Sequence, residues 1–131
     1  MNVGVIRRVL SQRAGIGPDA SAVANAALDV WLQIASLLEP VLGAGGVDAL
    51  FGRALNLAKA TDPQLAAPGV HGNSASSLVS LQKALASGDA AVAFQGSHRL
   101  LETFVELLEN LIGETLTASL LEPVWLSDTS T

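Results

Sequence analysis

An apolar helical hairpin is written twice along this chain, and that duplication limits its architecture more than any other feature. Leu37-Leu38-Glu39 runs into Gly43, with Leu50 seven residues beyond; Leu107-Leu108-Glu109 runs into Gly113, with Leu120 seven residues beyond. The offset of 70 aligns glycine breaks as well as leucines. A competing offset of 83 aligns Leu-Leu-Glu-Pro-Val at 37 with the same pentapeptide at 120, and leucine-rich helices produce such coincidences. What favours 70 is that it also superposes the apolar faces of the two long helices.

Those faces follow from helical periodicity, at about 100° per residue. Between residues 20 and 42, Ala27, Trp31, Ile34, Ala35, Leu38, Val41 and Leu42 share one side, widened by Val30 and Leu37. Asn25, Asp29, Gln33, Ser36 and Glu39 fill the other side, an amphipathic pattern with a broad buried stripe. Leu32 falls among the polar residues and is the candidate interface residue. Between 89 and 112 the stripe is Phe94, Leu100, Leu101, Phe104, Val105, Leu107, Leu108, Leu111 and Ile112, with Arg99, Glu102, Thr103, Glu106, Glu109 and Asn110 opposite. Asp19 or Ser21 supplies an N-cap for the first of these helices, and Asp89 for the second. Pro40 removes a backbone donor and predicts a kink in the last turn of its helix.

Gly43 to Gly46 predicts a break, followed by a helix from Val47 to about Lys59. Residues 61–74, with Asp62-Pro63, Pro68-Gly69 and Gly72-Asn73, predict a loop that divides the chain near its middle. Further helices are predicted at 75–86, on Leu78, Val79, Leu81 and Leu85, and at 114–126, on Leu116, Leu120, Leu121, Val124 and Trp125. The fold class is therefore all-α: a single-domain bundle of about five main helices over 19–126, built from two quasi-repeated hairpins. The two long helices form its central pair. Residues 1–18 are a basic arm or short helix, with Val5, Ile6, Val9 and Leu10 on one side, and 127–131 are a frayed tail.

Half of the 131 residues are apolar and only 15% are charged, so apolar surface is left over for a subunit interface or a ligand pocket. No uninterrupted apolar run reaches the roughly 18 residues expected of a membrane span. Arg7, Arg8 and Arg13 precede the first acidic residue, Asp19; beyond them four basic residues face twelve acidic ones. An acidic body does not suit a nucleic-acid backbone. The absence of cysteine excludes disulfides, thiol nucleophiles and thiolate metal sites. The N-terminus lacks the features of a secretory signal, and a cytoplasmic location is expected.

The segment Ile112-Gly113-Glu114-x-Leu116-Thr117-x-x-Leu120-Leu121-x-x-x-Trp125 resembles the ending of a group of small, uncharacterised bacterial helical proteins and domains. The stretch from Gly43 to Leu57, with Phe51, Arg53 and Leu55, resembles the matching segment of their first half. The resemblance spans about 20–126. It implies a compact helical bundle and, loosely, a signalling context; it carries no activity and no catalytic residue.

Few constellations suggest chemistry. His71 lies in the glycine-rich loop and His98 on the long helix before Arg99, Leu100 and Leu101. His98-Arg99-Leu100 is similar to the helical histidine of phosphotransfer domains, which stands in a His-x-Leu-Lys-Gly setting. Leu101 and Glu102 occupy the Lys and Gly positions here, and a glutamate repels a phosphoryl group. His98 is thus a weak candidate for phosphorylation, and a boundary histidine is the plainer reading. Inward Glu-x-x-His pairs that would hold a metal are missing. Gly43, Gly45 and Gly46 lack the Lys-Ser or Lys-Thr of a phosphate loop. Ser74, Ser76, Ser77 and Ser80 have no placed base. Trp31, Phe104 and Trp125 are candidates either for an apolar ligand pocket or simply for the core. The expectation is a non-enzymatic regulatory or protein-interaction module, homodimeric and without cofactor or metal, that recruits a signalling protein; a small apolar-ligand binder is the alternative.

Overall fold

The computed structural model describes residues 3–15, 19–66 and 75–126. His71, Ser74, most of the mid-chain loop and the tail 127–131 lie outside the described residues. The elements are α1 (Val3–Ala14), α2 (Ala20–Ala58), a short 3-10 turn (Pro63–Ala66), α3 (Ala75–Ala86), α4 (Ala90–Ile112) and α5 (Glu114–Leu126), with no strand among the described residues. The expected all-α bundle of about five helices is what forms.

The starts of the long helices are set by matched caps. Asp19 Oδ1 accepts from the Ala22 N–H and Asp89 Oδ1 from the Ala91 N–H, each at 2.8 Å. Such a cap satisfies one of the amide groups that a helix start leaves without an intrahelical partner. Their ends are set by matched glycines. Gly43 has φ 78° and ψ 157°, and Gly113 has φ 91° and ψ 158°. This region of backbone space is essentially restricted to glycine. A Cβ at either position would meet nothing within 4 Å, so the requirement is for the backbone conformation rather than for space.

The break in α2 is narrower than the glycine run predicts. Gly43 alone departs from helical geometry, and helix resumes directly through Ala44, Gly45 and Gly46. Pro40 sits inside the helix and is not the non-helical residue. α2 therefore consists of two limbs, 20–42 and 44–58. By length and composition it is also apolar enough to cross a membrane, although Gly43 interrupts it.

The first limb of α2 packs against α4, and the contact is aromatic at its centre. The Trp31 ring meets Phe104 edge-on, with centroids 5.1 Å apart, and meets Phe51 of the second limb at 4.8 Å. Edge-to-face contact sets the positive rim of one ring against the negative face of the other. Nearer its N-terminus the limb is built from small residues. Ala24 and Ala27, both buried, let α3 approach with Leu78, Leu81 and Leu85. α1 and α3 each pack on both long helices. Ile6, Val9 and Leu10 of α1 belong to the same core as Trp31 and Phe104. The last turn of α1 is also tied down: Arg13 Nη2 donates to Gln33 Oε1 at 2.6 Å and to the Val124 carbonyl at 3.0 Å. That carbonyl lies in the last turn of α5, where acceptors have no intrahelical donor.

Burial follows the 70-residue offset closely. Across 20–55 and 90–125, no position buried in one half is exposed in the other. α1 and α3, each of 12 residues, precede the two long helices in the same order, so the resemblance of the halves takes in a three-helix unit. Several residues assigned by periodicity to the buried stripes are nevertheless exposed: Val41 is 49% accessible, Leu111 61% and Leu116 45%. All three sit close to a hinge. Leu50 and Arg53 of the second limb line one groove with Leu107, Asn110 and Leu111, while Asp62 reaches back to Arg99. The second limb thus runs antiparallel to α4, and Gly43 lies at the same end of the molecule as Gly113.

Candidate functional site

The groove between the second limb of α2 and the C-terminal half of α4 encloses about 260 Å³ and is lined by Leu50, Arg53, Leu107, Asn110 and Leu111. Helical spacing builds it. Leu107 and Leu111 are one turn apart on α4, as Leu50 and Arg53 are on α2, so each helix offers one apolar ridge with a polar residue set into it. Leu57, one turn beyond Arg53 and 52% exposed, continues the apolar edge. Among the described residues Arg53 has no carboxylate partner. The groove offers an apolar surface with one cation and one amide. It holds no nucleophile and no acid–base pair.

Comparison of the two halves gives this groove a diverged counterpart in the sequence. At the 70-residue offset Leu50, Leu107 and Leu111 correspond to Leu120, Leu37 and Val41, so the apolar positions persist. Arg53 and Asn110 correspond to Pro123 and Pro40. The two polar residues of one groove stand where the other half has prolines. Reading the apolar stripes alone places Leu107 and Leu111 in the core and Asn110 on the opposite polar face, and gives neither Asn110 nor Arg53 a role in a site. The signal that marks them is the residue-by-residue contrast between the repeats.

The other candidate residues are dispersed. Leu32 lies on the outer surface of the first limb and is 51% exposed. Trp31, Phe104 and Trp125 are all buried. The narrow cleft beside Trp31, between α2 and α3, has no room for a water molecule. The Trp125 Nε1 is buried without a hydrogen-bond partner. Ser97 and Thr117 are in the same position; at the 70-residue offset they replace Ala27 and Val47, so the repeat accommodates a hydroxyl where its other copy is apolar.

His98 is half-buried on α4, stacked on Phe94 with centroids 6.5 Å apart. Its Nε2 is shielded from solvent and has no partner, so that nitrogen is not presented at the surface for a phosphoryl donor to reach. Arg99 has a structural partner, Asp62, with Nε and Oδ2 at 3.2 Å. Among the described residues no group of three histidine, aspartate or glutamate side chains converges in a way that could hold a metal ion. Ser77 is buried beneath α3, and both it and Ser76 have interaction partners.

No family model matches the chain, and no match was found among curated proteins or solved structures.

Proposed function

We propose that the chain is a non-enzymatic interaction module that pairs with a second copy of itself through apolar helix surface. The observation that carries this reading is the apolar groove between the second limb and α4, whose lining residue Leu111 is 61% exposed. Leucines in such a setting lose water contact when a partner covers them, at about 25 cal/mol per Å² of apolar area. Leu32 marks a second apolar point on the first limb, and the interface includes one or both. A signalling setting belongs to this reading on the resemblance of the Ile112–Trp125 ending to small bacterial helical proteins, and a recruited partner protein and a cytoplasmic location are further parts of the proposal.

The test is mass by light scattering over a wide concentration range, on the unaltered chain and on Leu111→Glu and Leu32→Glu. Self-association is expected for the unaltered chain. A carboxylate at an interface position must be desolvated on pairing, so the variant at the contact should shift to monomer. A monomer at every concentration would remove the homodimer from this reading. If only Leu32→Glu dissociates, the interface lies on the first limb and the groove is free for another partner.

A further inference from the structure

Beside α1 lies a larger cavity that shares no lining residue with the groove proposed for self-association. It encloses about 400 Å³ and is lined by Arg7, Ala91, Phe94, Gln95 and His98. The guanidinium carbon of Arg7 stands 5.8 Å from the centroid of the Phe94 ring, and Phe94 stacks in turn on His98 with an interplanar angle of 15°. Phe94 and His98 are one helical turn apart, which places them side by side on α4. Arg7, Phe94 and His98 thus form one layered wall, with an amide from Gln95 alongside.

Among the residues that line the cavity the only charge is that of Arg7. Arg7 is exposed, and among the described residues it has no carboxylate partner. No acidic side chain lines the cavity. The nearest in sequence on α4, Asp89, turns its Oδ1 to the Ala91 N–H as a helix cap. The chain before Asp19 carries three arginines and no acid, whereas the rest has twelve acidic residues against four basic ones. An anion approaching this molecule is repelled by most of its surface and attracted to the α1 end.

We infer that this cavity is a binding site for a small anion with a flat apolar body, its anionic group being a carboxylate or a phosphate monoester. Arg7 supplies the paired N–H donors that fit either group. Gln95 adds an amide donor. The Phe94–His98 wall takes the planar body, and the volume suits a small molecule rather than a bare ion.

The experiment is a titration of the full chain followed by the side-chain NMR signals of Phe94 and His98. The probes are benzoate, phenyl phosphate, benzyl alcohol and inorganic phosphate. Saturable shifts are expected with benzoate or phenyl phosphate, and the tighter of the two identifies the preferred anionic group. Arg7→Gln should weaken that binding by about tenfold, the loss of one charged hydrogen-bonding partner, while Arg8→Gln, which does not line the cavity, leaves it unchanged. Equal weakening by both variants would mean diffuse attraction and overturn the site. So would benzyl alcohol binding as tightly as benzoate, or no saturable shift with any probe. Inorganic phosphate binding as tightly as phenyl phosphate would overturn the apolar half of the inference. None of these outcomes depends on whether the chain dimerises.

Discussion

Arg99 Nε lies 3.2 Å from Asp62 Oδ2 and ties the segment that follows α2 to the middle of α4, although the two partners are unequally buried: the Arg99 side chain is 40% exposed and that of Asp62 6%. The inequality decides which partner the fold can lose. Without Asp62 the guanidinium remains hydrated. Without Arg99 the carboxylate remains buried and unpaired, which costs more than the pair itself contributes. Arg99→Met should therefore destabilise by about 1–2 kcal/mol, discounted from a fully buried pair because one partner is in water, and Asp62→Asn by about half as much. Urea denaturation of the two variants checks the order; a larger loss in Asp62→Asn would mean that the carboxylate acts chiefly on its own backbone.

The N-terminal helix is part of the core. Leu10 is 1% exposed, and Arg13 bonds to both α2 and α5. Leu10→Ala should cost about 2–5 kcal/mol, the range for removing a buried leucine side chain. Arg8→Ala, on the outward face of the same helix, should fall within about 0.5 kcal/mol of the parent. Equal and small effects in both would mean that α1 detaches readily in solution.

These two cases show where the sequence is legible. Period and punctuation identify α3 and α5, place Asp89 as a cap and narrow the other cap to Asp19 or Ser21, because apolar spacing and short-range hydrogen bonding are local. The 70-residue repeat is legible for the same reason. Its extension to α1 and α3 is not: five residues join α1 to α2 and three join α3 to α4, which shifts the register and hides the match. Periodicity marks the apolar side of a helix but not which neighbour covers each turn of it, so Val41, Leu111 and Leu116 read as buried although they are exposed. The Asp62–Arg99 and Arg7–Phe94 contacts join segments 37 or more residues apart, and nothing local encodes them. The groove was half legible, in its leucines, while Arg53 and Asn110 emerge only when one repeat is set against the other.

Two glycines two residues apart in α2 should respond to alanine with opposite signs. Gly43, at φ 78° and ψ 157°, occupies a region that an L-residue enters only under strain, so Gly43→Ala should destabilise by about 1–3 kcal/mol or force the hinge to move. Gly113→Ala should do the same, since its φ and ψ lie close by. Gly45 has ordinary helical geometry, is exposed, and would bring a new Cβ within 4 Å of nothing. There the alanine limits the freedom of the unfolded chain without strain in the folded one, and Gly45→Ala should stabilise by about 0.4–1 kcal/mol. Thermal melts of the three variants read the signs directly. Destabilisation by Gly45→Ala would mean that the hinge needs flexibility beyond Gly43, and a neutral Gly43→Ala would mean that α2 tolerates a path other than the bend that brings Phe51 onto Trp31.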